Sequence, residues 1–160
     1  ALGLDDLLSG HLPAFKEMHV ALEGDDGLPG RTVPARVPIT IRHLLTHTSG
    51  ISCGLSSGID GPKRRGAREL AWCACYEPLV QGVDCGEIRS LRQWVAELAK
   101  LPLQSQPGQH YGYGYSYDIL GHIVELKTGL SLERALRRRI FAPLGMHDTR
   151  FSLQGAGAQA

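Results

Sequence analysis

Pro107-Gly-Gln-His-Tyr-Gly-Tyr-Gly-Tyr-Ser-Tyr-Asp-Ile-Leu-Gly121 is the stretch on which the reading of this chain turns. Pro107-Gly108 makes a tight turn, four residues follow, and Tyr113 arrives just before a segment in which Ile119, Leu120, Ile123 and Val124 recur at helical spacing. A side chain between a turn and a helix start sits in a rigid frame, so Tyr113 is the first candidate for chemistry. The helix predicted from about 117 ends at Lys127-Thr128-Gly129, with a cation in the last turn and a glycine where a left-handed cap costs least.

Three further stretches lie around this one. Upstream is Ile39-Thr-Ile-Arg-His-Leu-Leu-Thr-His-Thr-Ser-Gly-Ile51, downstream is Ile140-Phe-Ala-Pro-Leu-Gly-Met-His-Asp-Thr-Arg-Phe151, and the chain opens with Leu4-Asp-Asp-Leu-Leu-Ser-Gly-His-Leu-Pro-Ala-Phe15. In this order the four stretches resemble the serine β-lactamase, D-alanyl-D-alanine carboxypeptidase and esterase family, the β-lactamase-related or penicillin-binding-protein-like hydrolases. The resemblance runs from about residue 2 to 151. It implies a parent α+β fold in which an antiparallel sheet, made by both ends of the chain, packs on a helical region, with the site in the cleft between them. The expected fold class is therefore mostly α with few short strands, the helical part of that architecture.

The resemblance also says what to look for. The family's nucleophile is a serine in a Ser-x-x-Lys turn, where the lysine takes the hydroxyl proton and a tyrosine relays it. No serine here has a lysine three residues on: Ser49 is followed at that spacing by Ser52, Ser116 by Ile119 and Ser131 by Arg134, and the others fail likewise. The chain has no initiator methionine and begins just after the place where that motif would lie, which reads as a piece of a longer open reading frame. The family's third element, a Lys-Thr-Gly or His-x-Gly triplet on a strand, is mimicked by Lys127-Thr128-Gly129, but no alternating β-branched run surrounds those residues, so they are read as a helix end.

By resemblance, Tyr113 is the general base and proton shuttle. A free tyrosine titrates near ~10, so it needs a neighbouring cation to act as a base at neutral pH. In the family that cation is the Ser-x-x-Lys lysine. Many members also carry Tyr-Ser-Asn or Tyr-x-Asn, whereas Gly114 and Tyr115 follow Tyr113 here. The spacing from Tyr113 to Asp118-Ile-Leu-Gly121 matches instead the esterase-like branch with Tyr-Ser-x-x-x-Asp-Val-Leu-Gly. Tyr115, followed by Ser116, is the alternative base or a substrate contact if the register slips. Tyr111 matches a bulky aromatic that packs under the turn. His47 is read as a turn residue bordering the pocket rather than a base.

The implied activity is acyl-enzyme hydrolysis of a small-molecule ester or amide by the full-length parent, esterase-like more than true β-lactamase, with this chain inactive on its own. The alternative is a non-catalytic truncated paralogue or pseudoenzyme that keeps the scaffold for binding, which Gly114-Tyr115 favours. No cofactor and no metal are expected: Cys73-Ala-Cys75 lacks the two-residue gap of a zinc knuckle, and no second ligand pair sits at matching spacing.

Composition fits. At 160 residues, 42% apolar, with a net charge of +1, the chain can bury a core of ordinary size, and the charge balance argues against a nucleic-acid surface. No run approaches the ~18 apolar residues of a membrane span, and no basic region followed by an apolar core marks a signal peptide. Cys53, Cys73, Cys75 and Cys85 allow two disulfides in three pairings or free thiols. The second reading is preferred, with a reducing, cytoplasmic setting.

Residues 1–153 are read as one partial domain with a loose insertion over 49–88 and a disordered Gly/Ala/Gln tail over 154–160. Residues 18–22 read as a short strand before a Gly/Pro-rich loop, 23–38. Thr40 caps a helix to about 46, and Pro62-Lys-Arg-Arg-Gly66 is a solvated loop. Ser90 with Gln93 starts a helix with Leu91, Trp94, Val95 and Leu98 inward, and Ser131 starts another with Leu132, Ala135 and Leu136 inward and Arg137-Arg-Arg139 on its polar face.

Overall fold

Local signals place most of the elements in the computed structural model, which describes residues 2–23, 29–53 and 67–151, with backbone alone for 23, 29, 30 and 67–74. The first unit runs from Ala1 to Leu120, the second from Gly121 to Ala160. The first begins with two single-turn 3₁₀ helices, Leu8–Gly10 and Pro13–Phe15, and a hairpin of β1 (His19–Glu23) and β2 (Pro29–Pro34). Then come α1 (Ile41–Leu45), α2 (Ala67–Asp84), α3 (Leu91–Leu98) and α4 (Ser116–Thr128), the last crossing into the second unit. The second unit adds α5 (Leu132–Leu136) and a π-helical turn, Arg137–Phe141. Among the described residues the chain is mostly helical with one two-stranded sheet.

Two readings of the sequence need correction. The segment 23–38 holds strand β2, antiparallel to β1 with Val20 opposite Val33 and Ala21 opposite Thr32. Prolines at both ends hid it, yet both occupy strand termini, where a missing N–H costs least. Within 49–88, read as loose, lies the 18-residue α2. Its Arg-Glu-Leu-Ala run carries helix formers but no clean apolar stripe follows, and Pro78 sits inside it, so periodicity gave no signal. The Pro62–Gly66 loop and the 154–160 tail lie outside the described residues.

The core of the first unit is built by the segments the motifs come from. Leu8, Ile39, Ile41, Leu44, Leu103 and Ile119 are all buried, each worth roughly 1.5–3 kcal/mol against exposure. Backbone bonds tie the opening stretch to α1, Leu8 N–H to Ile39 O at 2.9 Å and Ile41 N–H to Asp6 O at 3.1 Å. Leu103 is clamped to β1 by Ala21 N–H to Leu103 O and Leu103 N–H to His19 O, at 2.9 and 2.8 Å. In α3, Trp94, Val95 and Leu98 face inward, and the Ser90 hydroxyl accepts from Gln93 N–H as the capping signature requires.

In the second unit Lys127–Gly129 closes α4: Gly129 N–H donates to Glu125 O at 2.8 Å, and Thr128 Oγ1 donates to Val124 O at 2.7 Å. The triplet is a helix end, not a sheet edge. Ser131 caps α5, whose first free amide, Leu132 N–H, is also held by Glu125 Oε1 at 3.0 Å. Ala135 is buried, while Leu132 and Leu136 are half-buried and Arg137 to Arg139 are exposed. Among the described residues no helix is long and apolar enough to cross a membrane.

Candidate active site

The site forms where the end of α1 meets the Pro107 turn. Thr40 and His43 make a reciprocal cap: Thr40 Oγ1 accepts from His43 N–H, and Thr40 N–H donates to His43 Nδ1, both at 3.3 Å. Burial, then the Arg42 charge, lowers the His43 imidazole below its usual range. At the other end of α1, Thr48 N–H donates to His43 O at 2.8 Å and His47 N–H to Leu44 O at 3.3 Å. These are the two bonds of a Schellman closure, with His47 at its left-handed position. His47 has φ of 52°, the only positive φ outside glycine among the described residues.

The second segment of the site, 106–114, is laid against this turn. Gln109 N–H donates to Gln106 O at 3.1 Å with Gly108 at φ 82°, the turn read from Pro107-Gly108. Gly108 N–H then donates to Thr48 O at 2.7 Å and Gly112 N–H to His47 O at 2.8 Å. Gly114 comes so close to the other segment that a Cβ there would overlap the Ile51 carbonyl oxygen and reach 2.8 Å from the Ser52 carbonyl carbon. Below it, the buried hydroxyls of Ser49 and Ser116 share a hydrogen bond of 3.0 Å, and Ser49 Oγ also accepts from Ile51 N–H. Gly114 is therefore a packing requirement, which gives a structural reason for a glycine rather than a serine after Tyr113.

This clamp sorts the tyrosines into two sets. Tyr111, Tyr113 and Tyr117 all reach the His47 ring, at centroid distances of 6.1, 4.8 and 4.6 Å. Tyr113 is 55% exposed. Tyr117 is fixed by its hydroxyl, which donates to Leu45 O at 3.3 Å. Tyr115 turns the other way, edge-on to Trp94 at 4.8 Å and 5.9 Å from the Tyr76 ring. Burial, then nearby Cys53 and Asp118, pushes the Tyr115 phenol upward. The buried Tyr76 hydroxyl accepts from Ser52 N–H at 3.3 Å, and burial drives its phenol far above the ordinary value. Cys53 lies beside the site with its thiol donating to Tyr113 O at 3.7 Å, and Cys75 and Cys85 are free thiols.

Sequence reasoning missed the ring contacts of His47, the Ser49–Ser116 pair and Tyr76. The alternation of tyrosines at 111, 113, 115 and 117 suggests one common face. Gly114 was the signal to the contrary, because close backbone approach at that point swings Tyr115 to the opposite side.

With this geometry, a Thr-His-Thr-Ser-Gly turn against a Pro-Gly turn that delivers tyrosine to a helix start, goes a match of the whole chain, residues 1–160, to the beta-lactamase family model. The chain belongs to the beta-lactamase family. Within it, the chain is 34% identical to monacolin J acid methylbutanoyltransferase of Aspergillus terreus over 153 residues, 94% of this chain and 32% of that protein. It is 35% identical to lovastatin esterase of Penicillium rubens over 153 residues, 94% of this chain and 33% of that protein. The solved structure of unliganded simvastatin synthase from Aspergillus terreus superposes with a TM-score of 0.66 at 33% identity, covering 98% of this chain and 35% of the other. The chain thus spans about a third of the length of the curated relatives it matches. Its homologues in the beta-lactamase family are esterases and acyltransferases.

Proposed function

We propose that this chain carries the tyrosine side of an acyl-transfer site, completed by a serine that lies outside these residues, and that it is inactive by itself. In the complete site the serine oxygen attacks the carbonyl carbon of a small-molecule ester or amide. The serine proton passes to the Tyr113 phenolate, and the tetrahedral intermediate collapses to an acyl-serine as that proton goes to the departing alcohol or amine. Water, or an acceptor alcohol, then takes the acyl group by the reverse sequence. The Ser-x-x-Lys lysine of the family resemblance supplies the cation that keeps the phenol ionised.

The observation that carries this reading is the contrast between Tyr113 and Tyr115. Tyr113 has an exposed ring at the end of a braced turn, whereas Tyr115 packs on Trp94 and burial pushes its phenol upward, away from ionisation. An ester substrate fits the names of the relatives, one an esterase and one an acyltransferase. The scaffold alternative rested on Gly114-Tyr115; packing against Ile51 accounts for Gly114, and Tyr115 at the third position is what still favours that alternative. A fluorophosphonate probe on the full-length gene product tests the proposal. Labelling that maps to a serine followed by lysine three residues on, and that Tyr113→Phe suppresses, supports it; labelling confined to another serine, or unaffected by Tyr113→Phe, defeats it.

A further inference from the structure

His47 is costly where it stands. The left-handed position closing α1 favours glycine, and an L side chain there is strained, so a residue with a bulky ring at φ 52° calls for a compensating role. His47 is only 7% exposed, and its Nδ1 is a buried nitrogen with no hydrogen-bond partner among the described residues. A buried polar ring on a strained backbone is a poor way to make a turn. Asn tolerates the same backbone and Gly adopts it freely.

What the imidazole does provide is a ring in contact with three tyrosines. Tyr117, pinned through its hydroxyl to Leu45 O at 3.3 Å, lies 4.6 Å from the His47 centroid at an interplanar angle of 53°. Tyr113 lies 4.8 Å away at 32°. Tyr111 meets the ring edge-on at 6.1 Å and 72°. No hydrogen bond among the described residues holds the Tyr113 hydroxyl, so ring packing and the backbone bond from Gly112 N–H to His47 O are what fix it. We infer that His47 is a positioning residue for Tyr113: its imidazole transmits the fixed position of Tyr117 to the exposed phenol through tilted ring contacts, and acts through ring shape rather than proton transfer.

This inference rests on the proposed role of Tyr113 in acyl transfer. A reacting group misplaced by on the order of 1 Å can lose about a hundredfold in rate. The test uses three variants of the full-length gene product assayed on a small aryl ester. His47→Asn and His47→Gly keep the left-handed turn and delete the ring, and each is expected to lower kcat by at least about tenfold with KM nearly unchanged. His47→Phe restores the ring at the same strained backbone and is expected to recover most of kcat, with the basic limb of the pH profile unmoved. The positioning role is overturned if His47→Asn keeps the wild-type kcat, or if Asn recovers activity and Phe, while folded, does not.

A second readout keeps the two proposals apart. Ring-proton shifts of labelled Tyr113 in His47→Asn are expected to move, because the imidazole ring current is gone. If those shifts stay in place, His47 does not hold the phenol, whatever the activity. If they move while Tyr113→Phe remains fully active, His47 does position Tyr113 and it is the acyl-transfer reading that falls.

Discussion

The Tyr113 clamp and the 130–151 stretch are both dense in short motifs, but they are held in different ways. In the clamp each special residue answers to a segment remote in sequence: Gly108 and Gly112 to Thr48 and His47, Gly114 to Ile51, Ser116 to Ser49. In the later stretch the contacts are local, Ala142 N–H to Arg137 O, Gly145 N–H to Ala142 O and Met146 N–H to Phe141 O, and Leu144 is 70% exposed. A motif in the first region encodes a fit between two turns. A motif in the second encodes a turn alone.

If that difference is real, equal substitutions have unequal effects. Gly114→Ala puts a methyl group into the Ile51 backbone and is expected to cost about 3 kcal/mol or more, whereas Gly145→Ala, at φ 66° with only His147 Nε2 near at 3.9 Å, should cost about 1 kcal/mol of backbone strain. Denaturant titration of both variants measures the ratio, and equal losses would erase the contrast.

Next in size is the buried hydroxyl pair. Ser49→Ala strands Ser116 and frees Ile51 N–H, so it should cost about 2 kcal/mol, more than Ser116→Ala. The double variant should lose less than the sum, and strict additivity in the cycle would mean that the two hydroxyls do not interact. Smaller still are the helix caps. Thr40→Ala breaks a two-way cap beside the site, at about 1 kcal/mol, against roughly 0.5 kcal/mol for Ser131→Ala on exposed α5, and thermal melts separate them.

The smallest effect is on pH. His43 is held below its ordinary 6.5 by burial and Arg42, so the unfolded chain takes up the proton first. The stability this contributes is complete above about 6.5 and is lost as pH falls from there through the lowered folded value. Melting temperature should fall as pH drops through that window, and the fall should be shallower in His43→Gln; an unchanged slope in the variant assigns the loss to other groups.

How much was legible in the sequence follows the same division. The Pro107-Gly108 turn, the Thr40, Ser90 and Ser131 caps and the helix end at Lys127–Gly129 rest on chemistry within a few residues, and all were readable. Strand β2 was not, because its prolines read as loop until a partner strand supplies the ladder. Nor was α2, whose residues favour a helix without marking a buried face. At the site, the opposite orientations of Tyr113 and Tyr115 depend on how close Gly114 comes to Ile51, a distance no local pattern contains. The left-handed conformation of His47 was equally hidden, since glycine is the usual signal for that position.

The central claim is that the exposed phenol of Tyr113, not the packed one of Tyr115, moves the proton in acyl transfer. Single-turnover acylation of the full-length gene product, with Tyr113→Phe and Tyr115→Phe side by side, tests it most directly. The account predicts a loss of about 10²- to 10⁴-fold for Tyr113→Phe and less than about tenfold for Tyr115→Phe. Acylation by Tyr113→Phe within a few-fold of the parent, or the larger loss at Tyr115, contradicts it.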